Sequence, residues 1–81
     1  MNKKEKDKNI KRILSDIEQF YKNLNEIKKT PSNSYIIDLA IRYCQDCSYW
    51  LEKGDLISAF GCINYAHGLI DAFRLNKNKE H

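Results

Sequence analysis

Proline appears once and glycine three times in the 81 residues, so the chain has few points at which a helix must stop. That scarcity leaves little room for loops and points to an all-helical protein. Long apolar runs are missing too. No stretch approaches the ~18 residues that a membrane span needs, and the charged start from Met1 to Arg12 is unlike a secretory signal. Cysteine is present in an odd number, three, which does not suit the disulfide framework of a small secreted domain. The expected setting is the cytoplasm, with reduced thiols. The length is enough for one domain and too short for two.

What is present fits a globular chain: 42% hydrophobic and 31% charged residues,. The formal net charge of +3 is unevenly placed. Residues 1–29 hold nine Lys and Arg against five acids, whereas residues 30–75 hold three against five. The basic excess therefore sits in the start Asn2-Lys3-Lys4-Glu5-Lys6-Asp7-Lys8, where residues 1–8 are expected to be a frayed or disordered, solvated end. No basic face continues into the folded part. Nucleic-acid contact is accordingly a minority reading, and no membrane contact is expected.

Three amphipathic segments follow. Ile10, Ile13, Leu14, Ile17, Phe20, Tyr21, Leu24 and Ile27 recur at spacings of three and four, which predicts a helix over residues 9–29. Leu14 and Tyr21 widen its stripe, as suits a helix covered by two neighbours. Thr30 and Pro31 then punctuate, with Thr30 as the expected N-cap and Pro31 in the first helical position. The second helix, over 31–53, has an apolar face of Ile36, Leu39, Ala40, Tyr43, Cys44, Cys47, Trp50 and Leu51. Gly54 supplies a left-handed stop and Asp55 an immediate cap for the third helix. That helix carries Leu56, Ala59, Phe60, Ile63, Ala66, Leu69, Ile70 and Phe73 over 55–75, leaving 76–81 as a frayed polar tail.

Connections this short force antiparallel neighbours, hence an antiparallel three-helix bundle. Folding about Gly54–Asp55 sets Trp50 against Ala59, Tyr43 against Ala66 and Ala40 against Leu69. Folding about Thr30 sets Phe20 against Ala40 and Ile17 against Tyr43. Large side chains repeatedly face small ones, as an interdigitated core requires.

Few residues suggest chemistry. Cys44, Cys47, Cys62 and His67 have the types of a Cys3His zinc set. At ~100° per residue, however, Cys62 and His67 lie about 140° apart around their helix, so packing of the cysteines as small hydrophobes is expected and no metal. No Ser or Cys stands beside His67 with a third group to orient it, so no catalytic set is assigned. Asp38, Arg42 and Asp46 step by four along the second helix, and level with them come Asp71 and His67. Together with Arg74 these form an expected polar seam beside the interface of helices 2 and 3. Tyr35, Tyr43, Tyr49 and Tyr65 are dense for so short a segment, and Tyr49 and Tyr65 project away from the apolar centres of their helices. Exposed Tyr is enriched at protein interfaces.

The runs Trp50-Leu51-Glu52-Lys53-Gly54-Asp55, Ala59-Phe60 and Tyr65-Ala66-His67-Gly68-Leu69-Ile70-Asp71-Ala72 carry a resemblance. The stretch from Tyr43 to Leu75 resembles the small archaeal family called domain of unknown function 357, and departs from it at Phe73, where a small residue is expected. The resemblance implies a compact helical bundle and an archaeal source, and no activity. Helical nucleotide-binding domains of the ribonuclease-toxin kind pair an Arg with a His little more than one turn later; here Arg42 is followed at that place by Cys47.

The expected function is that of a non-enzymatic interaction or scaffold module. Its candidate contacts are Asp46, Tyr49, Tyr65 and Asp71, its partner an unknown protein or a second copy of itself, and no cofactor is implied. One alternative is a nucleic-acid accessory protein using the Lys-rich start. Another is an enzyme or ligand site along the Asp/His seam.

Overall fold

The computed structural model describes residues 2–79, with side chains through Arg74. It contains three helices, α1 (Lys3–Leu24), α2 (Ser34–Glu52) and α3 (Leu56–Lys79), packed against one another. Among the described residues there is no strand.

α1 begins six residues earlier than its apolar period suggests. Asn2 is the reason: its side-chain oxygen accepts the Glu5 N–H at 2.8 Å, and its amide also donates to the Glu5 carboxylate at 3.4 Å. The first of these bonds satisfies a backbone N–H that an uncapped helix start leaves open, and Glu5 places an acid at the positive end of the helix dipole,. Residues 3–8, expected to fray, are thus the first turns of α1. The polar tail is likewise helical to Lys79, and residues 80–81 lie outside the described residues.

α1 also ends early, at Leu24 rather than near Lys29. The backbone N–H of Glu26 bonds to the Asn23 carbonyl at 3.1 Å and that of Ile27 to the Leu24 carbonyl at 3.0 Å, so the chain tightens and turns,. Asn23 and Asn25, weak helix formers, sit where it does so. The next turn corrects the expected cap. The Thr30 hydroxyl lies 3.0 Å from the Ser32 hydroxyl and caps nothing; its backbone carbonyl instead receives Ser34 N–H at 2.9 Å. Asn33 organises the loop, accepting the Thr30 N–H at 2.8 Å and donating to the Lys28 carbonyl at 3.1 Å. α2 therefore starts three residues after Pro31.

At the second connection Gly54 adopts φ +81°, which favours glycine because it has no Cβ to clash. Gly54 N–H bonds to the Leu51 carbonyl at 3.1 Å and Asp55 N–H to the Trp50 carbonyl at 3.0 Å, the two bonds of a Schellman motif,. Asp55 then caps α3, accepting Ser58 N–H at 3.0 Å and the Ser58 hydroxyl at 2.7 Å. These bonds hold the Asp55 carboxyl below its ordinary range,.

α3 is the central element. It packs along α2 on one side and α1 on the other, while α1 and α2 touch little. Ile13, Phe20, Ala40, Cys44, Cys47, Ala59, Ile63, Ala66 and Ile70 form the closed core. Small residues line the α2–α3 seam and let those two helices approach closely. Two details differ from the expected faces. Ile37 is buried, whereas Trp50, expected on the apolar face opposite Ala59, stands 36% exposed at the edge. Leu14 and Tyr21 are 52% and 42% exposed, because the stripe of α1 is covered well by α3 and poorly by α2.

Candidate functional site

The α2–α3 hairpin presents an aromatic surface on the side turned away from α1. Tyr43 from α2 and Tyr65 from α3 hold their rings 4.6 Å apart at a 45° tilt. About two turns further along α2, Tyr49 meets Trp50 edge-on at 5.1 Å, and the Lys53 ammonium stands 5.5 Å over the Tyr49 ring,. Tyr49 is 52% and Tyr65 53% exposed. Each ring is braced by another aromatic or a cation, so its position is fixed without being buried. Asp46 lies beside this group. Its charge adds to the effect of burial in raising the Cys62 thiol above its ordinary pKa,.

Asp71, the fourth candidate contact, belongs elsewhere. It accepts from Arg74 at 3.3 Å, and Arg74 donates at 2.9 Å to Glu26, just beyond the end of α1. Those two acids keep the guanidinium firmly charged. His67 also faces α1: its Nε2 lies 2.8 Å from the Asp16 carbonyl oxygen, and its ring packs edge-on against Phe20 at 5.7 Å. At ~100° per residue, Tyr65 projects about 160° away from His67 around α3.

The polar seam does not assemble. Asp38 pairs with Lys29 at 2.7 Å rather than with Arg42 or Asp71. Arg42 is exposed on the outer side of α2. Levelling residues across a hairpin matches heights but ignores the direction in which each side chain leaves its helix, and His67, Asp71 and Arg74 leave toward α1. Acid–base work by Asp46, His67 and Asp71 would need a convergence that these directions prevent.

The cysteines occupy separate surroundings. Cys47 is fully buried where the three helices meet, and burial, then the neighbouring Cys44, Cys62 and Asp16, push its thiol up to about 11. Burial also raises Cys44, partly offset by its hydrogen bond with the Tyr21 hydroxyl. All three thiols are free. Among the described residues, no group of three His, Cys, Asp or Glu is placed to hold a metal ion.

At the start of α1, Lys4, Lys8 and Lys11 are exposed on one side of the helix, and no ion pair engages them among the described residues. Arg12 stands 5.5 Å over the Phe60 ring.

Some features escaped the sequence reading. The buried Asn23, held by Gln19 at 2.8 Å, and Asn33 are polar residues serving structure. The outer face of α3 is the larger omission. Ile57 is 84% exposed there, and a Cβ placed on Gly61 or Gly68 would meet nothing within 4 Å. A signal was present: residues 56–70 contain no Asp, Glu, Lys or Arg.

Fold and surface together define a small all-α domain whose distinctive chemistry is an aromatic flank rather than a cleft. The family model described as "Protein of unknown function (DUF357)" matches residues 7–78, and the chain belongs to that family. The match takes in most of α1 as well as the hairpin that carries the quoted motifs. No curated protein matches the chain. Among the described residues, no helix is long and apolar enough to cross a membrane.

Proposed function

We propose that this chain is a non-enzymatic protein-interaction module, working in the cytoplasm of an archaeon, and that its contact surface is the aromatic flank of α2 and α3. One observation supports the reading above others: the hairpin carries two aromatic pairs, Tyr43–Tyr65 between α2 and α3 and Tyr49–Trp50 on α2, in which Tyr49, Trp50 and Tyr65 stand between 36% and 53% exposed with their rings already braced. Trp and Tyr are the residues on which binding energy concentrates, and a braced ring loses little conformational freedom on docking. Asp46 at the same flank supplies an acceptor for a donor on the partner. The archaeal source rests on the family resemblance and the cytoplasmic setting on three free thiols,.

The test is a combined Tyr49→Ala, Trp50→Ala, Tyr65→Ala variant, confirmed as helical by circular dichroism. Covalent crosslinking in native cell extract should lose its specific adducts in that variant. Adducts identical to those of the wild type would refute the assignment of this flank.

A second reading draws on the unpaired Lys4, Lys8 and Lys11 at the start of α1, which suit a phosphate backbone. Replacing all three with Gln should abolish any binding to duplex or single-stranded DNA and flatten its salt dependence. Binding that survives the change would discard this reading.

A further inference from the structure

We infer that the aromatic flank takes a proline-rich, basic segment of its partner, held as a polyproline II helix. The inference rests on the interaction reading above and names the chemistry that this surface recognises.

Tyr43 and Trp50 are seven residues apart, so they lie on one line of α2 at a separation of about 10 Å. Each carries a second ring, Tyr65 at 4.6 Å from Tyr43 and Tyr49 at 5.1 Å from Trp50. The hairpin therefore offers two aromatic platforms with a gap between them. A polyproline II helix repeats every three residues at ~3.1 Å per residue, or about 9 Å per turn. Prolines three apart in such a segment meet both platforms at once, as they do on other aromatic-lined surfaces. Their rings stack on Tyr and Trp at little entropic cost, because φ is already fixed.

Hydrogen bonding decides between an extended and a helical ligand. The Tyr21 hydroxyl is engaged by Cys44 within the chain. Among the described residues, no hydrogen bond engages the hydroxyls of Tyr43, Tyr49 and Tyr65 or the indole N–H of Trp50. These donors need acceptors that the partner's own backbone has not used. An α-helix spends its carbonyls internally. An added strand needs a sheet edge, and the described residues contain no strand,. A polyproline II segment has no internal hydrogen bonds, so its carbonyls meet the donors free.

Asp46 sets the charge of the segment. It is exposed, three residues after Tyr43 and four before Trp50, on the same side of α2,. Among the described residues no hydrogen bond or ion pair engages it, and Arg42, one turn before, makes no ion pair with it. The hairpin as a whole, residues 34–74, holds three Lys and Arg against five acids. An Arg or Lys beside the prolines thus finds a free carboxylate between the two platforms.

Trp50 is the chain's single tryptophan, so its fluorescence reads the site directly. Titrating the full-length chain with a capped peptide of three Pro-Pro-Arg repeats should give a saturable change below about 1 mM. A Gly-Ser-Arg peptide of equal length and charge, with no preference for polyproline II, should bind at least about tenfold more weakly. Tyr65→Ala should weaken the Pro-Pro-Arg peptide about tenfold. Asp46→Lys should reverse the charge preference, toward a Pro-Pro-Glu peptide. Asp46 is exposed, so this variant keeps the fold and covers the case in which Tyr65→Ala does not. Absence of a saturable change, equal binding of the Gly-Ser-Arg peptide, or binding that neither variant alters overturns the proposal. If the Pro-Pro-Arg peptide fails while the Tyr49, Trp50, Tyr65 alanine variant loses its crosslinks, the proline-rich class is wrong and the interaction reading survives. If neither readout responds, both fall.

Discussion

The Nε2 of His67 on α3 lies 2.8 Å from the carbonyl oxygen of Asp16 on α1. A carbonyl only accepts, so Nε2 is the protonated nitrogen, and the ring is committed to holding two helices together. Replacing His67 with Leu keeps bulk against Phe20 but removes the bond. The expected loss is about 0.5–1.5 kcal/mol, measured by urea unfolding. An unchanged midpoint would show that the bond adds nothing to stability.

Phe20 is the largest fully buried side chain. Truncating such a ring to Ala costs about 3–5 kcal/mol, against a total stability on the order of 4–12 kcal/mol for a chain of 81 residues,. Phe20→Ala should therefore leave a fold with a low, broad thermal transition. Leu14→Ala, at a half-exposed position, should cost less than about 1 kcal/mol. Calorimetry on the two variants checks the contrast, and equal costs would mean that α1 is packed differently.

Asn33 bonds to two backbone groups of the first connection, at Thr30 and Lys28. Asn33→Ala leaves those groups less well satisfied, with an expected cost of about 1–3 kcal/mol. Thr30→Ala, whose hydroxyl caps nothing, should be close to neutral. The reverse order in chemical unfolding would restore Thr30 as the cap.

Stability should fall at both ends of the pH scale, for opposite reasons. Asp55 has a lowered pKa in the folded state, so its contribution is present above the ordinary carboxylate range and is lost as pH falls through the folded value. Cys47 has a raised pKa, about 11. Its contribution is present below the ordinary thiol value and is lost as pH rises from there toward about 11,. Asp55→Asn should flatten the acid limb and Cys47→Ala the alkaline one. Unfolding curves taken across pH separate the two, and limbs unchanged in these variants would assign the losses to other groups.

Much of the architecture was legible because Ile10 to Ile27 and Leu56 to Ile70 repeat with helical period, and because Gly54 and Asp55 mark a turn in their chemistry. The ends of α1 were not. Asn2 extends the helix and Asn25 closes it through local hydrogen bonds that an apolar period does not register. Legibility was poorest around α3. Its apolar residues fall on every side, so the pattern could not tell the side of His67 and Asp71, which meets α1, from the side of Tyr65, which meets α2. Tyr49 and Tyr65 could be marked as outward because their positions fall away from the apolar centres of their helices. The openness beside Gly61 and Gly68 appears only once the neighbours are in place.

The contacts that fasten α1 to α3 join residues far apart along the chain. Asp16 meets His67 across 51 positions and Glu26 meets Arg74 across 48. The α2–α3 hairpin, by contrast, closes over a turn at Gly54 and Asp55. Loop-closure entropy makes the short closure cheaper, so the hairpin is expected to form the folding nucleus and α1 to dock onto it late. Truncations at Ala59 and Ile63 should then slow refolding, whereas truncations at Ile13 and Phe20 should chiefly speed unfolding. A first helix that arrives last also leaves first, which makes its amides the ones that exchange with solvent earliest.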